Sequence, residues 1–271
     1  MKRLLNYPGS KWSMANLIID NMPEHKSYLE PFCGSCAVFM SKPKVILETI
    51  NDMDGRLVNL FRVMRDEPEQ LQYLIMRTLY SREEYLLSQE VSSDRLEDAR
   101  RMAVRLWFAV GGKTNANVGF RKNVSWNGPY NTYEWNDMYG RIGMAAARLK
   151  NAQIENMDAL KLIEQHNDKD TLIYCDPPYV PSSLVSAHYQ HDFSIEQHQE
   201  LLSLLKKHEG NVMLSGYESE LYNRELAAWA RIKKQVKVGI TSEKKTDRQE
   251  VIWCNFEPPA QLNLFDVNMK E

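Results

Sequence analysis

Residues 171–179 read TLIYCDPPY. A largely apolar run of five goes straight into an acid, two prolines and an aromatic ring. A short apolar run bounded by a breaker reads as a strand buried on both faces. Two prolines fix φ and donate no backbone hydrogen bond, so the turn is rigid and its carbonyls are left over. An acid, a carbonyl and a ring are thus presented at a strand's carboxyl end. An ordinary strand-ending turn is the plainer reading, but Asp-Pro-Pro-Tyr behind such a run is a rare string.

Outward from this strand the chain alternates. SYLEPF (27–32), KVILETIND (44–52), AQIEN (152–156), NVMLSGY (211–217), IKKQVKV (232–238) and EVIWCNF (250–256) read as strands. Helical spacing predicts helices over 55–66, most of 68–110, 134–150, 194–208 and 219–230. CGSCAVFMSK (33–42) reads as loop passing into helix. Ser194 with Gln197 three residues on predicts a capping box. Residues 111–133, rich in Gly, Asn and aromatics, read as a loop or hairpin excursion. Strands alternating with helices imply a mostly parallel α/β sheet. The helical block over 62–150 looks inserted into it.

A chain of 271 residues with 43% hydrophobic content can bury a sizeable core. No stretch approaches membrane-spanning length. MKRLLNYPGSKW has no signal-peptide pattern, so a soluble, cytoplasmic protein is expected. Four cysteines (Cys33, Cys36, Cys175, Cys254) do not make a disulfide scaffold in a chain this long. Net charge is −2, yet nine Lys/Arg fall between Arg100 and Lys150 against only Glu134 and Asp137. A basic field in an acidic protein suits one polyanion contact face. A solvated helix face that happens to be basic is an equal alternative.

In open α/β sheets ligands sit beyond the carboxyl ends of strands. After SYLEPF, Gly34 lets backbone approach a ligand, and Asp52 closes the second strand 18 residues on, where an acid accepts ribose hydroxyls. The loop is not GxGxxG. Cys33 and Cys36 form a C-G-x-C pair, which could be redox-active or half a zinc site. No second CxxC supports zinc, and His188 and His191 read as polar surface. Small buried hydrophobes are the commoner role for such cysteines.

With DPPY (176–179) in place, the chain resembles the adenine-specific DNA methyltransferases, in the class that includes the GATC-methylating enzymes. YPGSK (7–11) resembles the family's opening cofactor segment, bringing in Tyr7 and Lys11. EPFCGSCAVF (30–39) resembles its E-P-F-x-G-x-G-x-x-F loop, with Cys36 in place of the second glycine. ENMDAL (155–160), LSGYES (214–219) and EVIW (250–253) resemble later segments. The resemblance implies a Rossmann-like, mostly parallel sheet flanked by helices and closed by an antiparallel hairpin. It implies a catalytic, cofactor-binding domain over 1–61 and 151–271 and a mainly helical DNA target-recognition domain over 62–150.

The cofactor so implied is S-adenosylmethionine, with no metal. Phe32, Cys33, Gly34 and Ser35 would form its loop, Asp52 and Met53 its ribose side, Met157 and Asp158 its adenine side. Asp176, Pro177, Pro178 and Tyr179 would be catalytic, with Asp176 also at the cofactor. Asp176 and the Pro177 carbonyl would accept the protons of the target's 6-amino group, and Tyr179 would stack on the flipped base. Double-stranded DNA is the implied partner, alongside a cognate restriction endonuclease and no membrane. Lys113, Asn115, Asn117, Arg121, Lys122, Trp126 and Tyr189 are candidates for DNA contact by type and location. Four rivals stand beside this reading. Cytosine 4-amino methylation more often carries Ser at the motif's first position, and protein-glutamine methylation starts it with Asn. A catalytically silent DNA-binding protein and a thiol–disulfide enzyme are the others.

Overall fold

The computed structural model describes residues 2–112, 119–122, 131–180, 193–240 and 244–259. Seven strands form one sheet: β1 (Ser27–Glu30), β2 (Leu47–Asn51), β3 (Gln153–Glu155), β4 (Thr171–Cys175), β5 (Asn211–Tyr217), β6 (Ala230–Ile240) and β7 (Lys244–Cys254). Their order is β3-β2-β1-β4-β5-β7-β6. The first five are parallel, and β7 enters antiparallel between β5 and β6.

The central strand shows why TLIYC lacks polar alternation. Leu172 and Tyr174 join one buried cluster, Ile173 and Cys175 the other. The period of two sends successive side chains to opposite faces, and both faces are covered. On the first face lie α1 (Ala15–Asp20), α2 (Ala37–Ser41), α3 (Gly55–Asp66), α4 (Pro68–Arg77), α5 (Arg82–Leu87), α6 (Arg95–Phe108), α7 (Asn131–Asn136) and α8 (Met138–Leu149), whose buried side chains share the cluster of Tyr28, Ile50 and Tyr174. On the second lie α9 (Ala159–Gln165), α10 (Ile195–Lys207) and α11 (Glu220–Glu225).

Local signals place most helix starts. Asp54, Asp94 and Asp158 accept backbone N–H groups at the starts of α3, α6 and α9. Ser194 and Gln197 form the expected capping box of α10. Several boundaries differ from the sequence reading, β7 for example beginning at Lys244 rather than at Glu250. Residue 62 falls inside α3, so helix runs unbroken into the block over 62–150. That block's helices pack in pairs, α3 on α6 and α4 on α8. The helix expected over 219–230 ends at Glu225, because Ala230 is already paired with Cys254. Asn131, not Glu134, opens α7.

The helical block is pinned to the sheet by a buried ion cluster. Glu48 on β2 receives Arg148 of α8 through Nη2 at 2.8 Å and Lys42 at 2.8 Å. Arg148 also lies 3.8 Å over the Phe39 ring. Burial alone would raise the Glu48 pKa, but hydrogen bonds from Arg148 and Lys42 outweigh it and hold the carboxyl below its ordinary value. Removing one member of a buried pair is costly because the partner stays desolvated. Arg148→Ala should lower stability by about 3 kcal/mol, the low end of that range because Lys42 remains. Urea unfolding reads this directly; a loss under about 1 kcal/mol would mean that the cluster does not hold α8 to the sheet.

Candidate active site

The order of strands changes direction at β1 and β4. β1 leads outward to β2 and β3, β4 to β5 and β7. Such a switch point leaves a crevice beyond the carboxyl ends of the two strands. β1 ends there in Glu30-Pro31-Phe32 and β4 in Asp176-Pro177-Pro178. A cavity of about 410 Å³ lies at this place. Of the residues the sequence reading named, Tyr7, Lys11, Phe32, Cys33, Gly34, Ser35, Asp52, Met53, Asp158, Asp176 and Pro178 line it. Met157, Pro177 and Tyr179 are not among the lining residues.

The N-terminal segment delivers Lys11. Tyr7 and Ser10 close a turn (Ser10 N–H to Tyr7 O, 3.2 Å) around Gly9, whose φ of 70° suits glycine. Lys11 opens a short 3-10 turn, and its side chain is 5% exposed. Its ammonium lies 2.6 Å from Asp176 Oδ2, 2.9 Å from the Gly9 carbonyl, 2.9 Å from the Tyr179 hydroxyl and 3.0 Å from Glu250 Oε1. Burial would discharge a lone lysine, but Asp176 and Glu250 more than compensate and raise its pKa. Asp176 is pushed up to about 6, first by burial and then by Glu250, against the opposing pull of Lys11. Its Oδ1 is buried and takes no hydrogen bond among the described residues. Tyr179 gives its hydroxyl proton to Glu250 at 2.9 Å and packs its ring on Tyr217, 4.4 Å between centroids.

The loop after β1 is held from β2. Cys33 N–H reaches Asn51 O at 2.9 Å, and Gly34 N–H reaches Asp52 Oδ2 at 2.9 Å. Asp52 Oδ1 accepts Asp54 N–H at 2.9 Å, so its carboxylate braces two loops. Asn51 is 1% exposed. Its amide donates to the Pro31 and Met157 carbonyls at 2.9 and 3.1 Å, and its oxygen accepts Met157 N–H at 2.9 Å. One side chain thereby sets the spacing between the β1 loop and the β3 loop. Gly34 has φ 46°, and a Cβ there would stand 3.2 Å from the Tyr7 ring. Cys36, where the family pattern has glycine, adopts φ 53° with a fully buried thiol.

The two thiols are not prepared for redox chemistry. Burial raises the pKa of both Cys33 and Cys36. A nucleophilic thiolate needs the opposite shift. Among the described residues no group of three or more His, Cys, Asp or Glu could hold a metal ion. Asp158 accepts Leu160 and Lys161 N–H through Oδ1, both at 3.0 Å, and so caps α9 while lining the cavity.

Of the DNA-contact candidates, Arg121 and Lys122 are described. Phe120 bridges Ala109 at the end of α6, and Arg121 is fixed by its N–H to Phe108 O (2.7 Å) and its carbonyl to Tyr80 (2.8 Å). Lys122 is exposed. Lys113, Asn115, Asn117, Trp126 and Tyr189 lie outside the described residues. Part of the basic excess between Arg100 and Lys150 is spent internally. Arg100 pairs with Glu84 and Glu97, Arg101 with Glu97, Arg141 with Glu134 and Asp137, and Arg148 with Glu48. Counting charges along the chain cannot see acids brought in by folding. Arg121, Lys122 and Lys150 are half-exposed or exposed, and Lys113 lies outside the described residues.

The family described as D12 class N6 adenine-specific DNA methyltransferase matches residues 7–240. The chain belongs to that family. It is 30% identical over 242 residues to the type II methyltransferase M1.LlaDCHI of Lactococcus lactis subsp. cremoris, covering 82% of this chain and 83% of that protein. It is 25% identical over 270 residues to a DNA adenine methylase of Haemophilus influenzae (92% and 91% covered) and 24% identical over 236 residues to one of Salmonella typhi (81% and 82%). The D12 methyltransferases are enzymes of adenine methylation in DNA, and this chain shares that assignment. Among the described residues no helix is long and apolar enough to cross a membrane.

Sequence reasoning missed Asn51, Glu30 and Glu250 as contributors. Glu30 was legible only as part of the E-P-F string. It is 2% exposed, accepts Tyr28 O–H at 2.7 Å and Phe39 N–H at 3.0 Å, and lines the cavity. Burial pushes its pKa up to about 8, although both hydrogen bonds oppose this. An acid whose folded pKa exceeds its unfolded value contributes stability fully present below the unfolded pKa and lost as pH rises through the folded one. The window is therefore from about 4.5 to about 8. Glu30→Gln keeps an acceptor for both donors and never ionises. Its stability relative to the parent chain should rise between pH 5 and pH 9, read as the difference in urea midpoints. Equal differences at the two pH values would place Glu30 as ionised throughout.

Proposed function

We propose that this chain transfers a methyl group from S-adenosylmethionine to the 6-amino group of an adenine extruded from double-stranded DNA. The observation that carries this reading is the cavity-lining Asp176, gripped by Lys11 through Oδ2 and keeping Oδ1 unpartnered. An adenine amine is a poor nucleophile because its lone pair is delocalised into the ring. Acceptors on its two protons draw the nitrogen towards tetrahedral geometry. Asp176 Oδ1 is one such acceptor and the Pro177 carbonyl is the second. Asp176 is too weak a base to deprotonate the neutral amine, so the proton leaves after transfer has made it acidic. Catalysis is then positioning and electrostatics.

The pocket fits the cofactor on its own features. Gly34 leaves a cradle against Tyr7 that a Cβ would fill, and the cavity-lining Asp52 carboxylate would accept ribose hydroxyls. Asp158 would read the cofactor's adenine, with Phe32, Met53 and Met157 as apolar neighbours and Cys33 and Ser35 in the loop. When bound, S-adenosylmethionine supplies an activated methyl on a sulfonium. A base inside a duplex cannot reach such a pocket, so it must leave the stack. Tyr179 is held by Tyr217 and Glu250 and would stack on that base, worth about 1–3 kcal/mol. The block over 62–150 would read the DNA target, with Arg121 and Lys122 on phosphates. A restriction endonuclease would be its partner if this chain serves a restriction system, as the type II relative's name suggests. Expression in a methylation-free host, followed by sequencing that reads modified adenines, tests the activity as a whole.

Two outcomes probe the residues. Asp176→Ala should abolish transfer, a loss on the order of a hundredfold or more, and Asp176→Asn should fall between, because its amide oxygen still accepts. Single-turnover rates at saturating cofactor and DNA isolate this step. In the parent chain kcat/KM, which follows the free enzyme, should decline on the acid side near pH 6 as Asp176 gains its proton. Asp52→Ala should weaken cofactor binding by about 1.5–3 kcal/mol, the worth of hydrogen bonds to a charged group, with DNA affinity kept. Calorimetry showing unchanged cofactor affinity would remove Asp52 from the site.

A further inference from the structure

β7 reaches the catalytic turn through Glu250. Glu250 stands opposite Tyr217 on β5 and Lys234 on β6, and it is 5% exposed. Its Oε1 meets Lys11 Nζ at 3.0 Å and the Tyr179 hydroxyl at 2.9 Å. Tyr179 is thus held by two neighbouring strands, its ring by Tyr217 and its hydroxyl by Glu250. The Lys11 ammonium has three protons and four oxygen neighbours. Two of those neighbours are carboxylates, so one positive charge serves two negative ones. A lysine paired with Asp176 alone would give that carboxylate its whole charge and draw off its strength as an acceptor.

We propose that Glu250 is a positioning residue for methyl transfer. It holds Lys11 and the Tyr179 hydroxyl from the β7 side, so that Asp176 is gripped through Oδ2 only and Oδ1 remains an unspent acceptor. The inference rests on the role given to Asp176 under the proposed function. Asp176 is also surrounded by Glu30 of β1, Tyr174 and Cys175 of β4, and Tyr222 of α11. Burial raises the pKa of the two tyrosines and the cysteine, which keeps them neutral through the physiological range. Glu250 adds its negative charge to the burial that raises Asp176. A structural filler at position 250 would hold the strand but have no reason to tune that carboxyl.

The test compares Glu250→Gln, which keeps shape and an acceptor but not charge, with Glu250→Asp, which keeps charge but is shorter. Single-turnover methyl transfer to unmethylated plasmid DNA is followed against pH, with cofactor affinity and thermal unfolding measured alongside. Glu250→Gln should bind S-adenosylmethionine within about threefold of the parent chain, since Glu250 is not among the cavity-lining residues. Its rate at neutral pH should fall about tenfold. The acid limb of its profile should move to lower pH, because Lys11 is left to Asp176. Glu250→Asp should lose rate while its acid limb stays in place. A native rate and profile in folded Glu250→Gln would overturn the inference. Should that variant not fold, Tyr179→Phe decides instead, since it removes the hydroxyl between Lys11 and Glu250. A several-fold loss of rate with cofactor affinity kept supports the inference, and a native rate overturns it. Asp176→Ala is run beside them. Activity in that variant would overturn the role of Asp176 itself, whereas its inactivity with native Glu250→Gln would sink only the role of Glu250.

Discussion

One buried ammonium ties the molecule's distant parts together. Lys11 comes from the N-terminal segment, Asp176 from the end of β4 and Glu250 from β7. None of the three would be stable in the interior alone, since an unpaired buried charge costs far more than any single packing contact returns. Each is tolerable only because the others are present. The β4 turn cannot shift without exposing Lys11, and β7 cannot slip by one residue without turning Glu250 to the other face of the sheet. Register, turn and N-terminal segment are thereby locked to one another.

The same sheet separates two kinds of buried acid. Glu48 lies on the outer flank with two cations and stays charged, a fastening between helix and strand. Glu30 lies at the crevice with a tyrosine and a backbone amide as donors, and burial favours its neutral form. Asp176 falls between them, half compensated by a lysine it must share. The gradient follows burial, which raises each acid, set against the number of cations within reach.

Most of the architecture was legible in the chain. TLIYC read as a strand covered on both faces because it lacks alternation, and its side chains do divide between two cores. Asp52 and Gly34 were legible as a pair by spacing, and they are joined by a hydrogen bond. Position 36 was legible as a glycine site, and the backbone there is left-handed even though cysteine occupies it. What escaped were consequences of strand order. Nothing local says that β7 lies between β5 and β6, so nothing local aims Glu250 at Lys11. Likewise the arginines of α6 and α8 counted as surface charge until folding supplied Glu84 and Glu48. The helix expected through residue 230 was cut short by a pairing made with Cys254, far along the chain.

The insertion of β7 also governs the order of assembly on the ribosome. β1 to β5 are parallel strands whose helices follow them in the chain, and they can dock as they emerge. β6 has no β5 edge to join until β7 has been made, because β7 lies between them. Until then the antiparallel edge of β5 stands open, and Lys11 has Asp176 as its sole carboxylate. Contacts between residues so far apart in sequence are the slow ones to form. Between the synthesis of β5 and that of β7 the nascent enzyme therefore carries an exposed strand edge and an incomplete catalytic turn, and both are closed by the same strand.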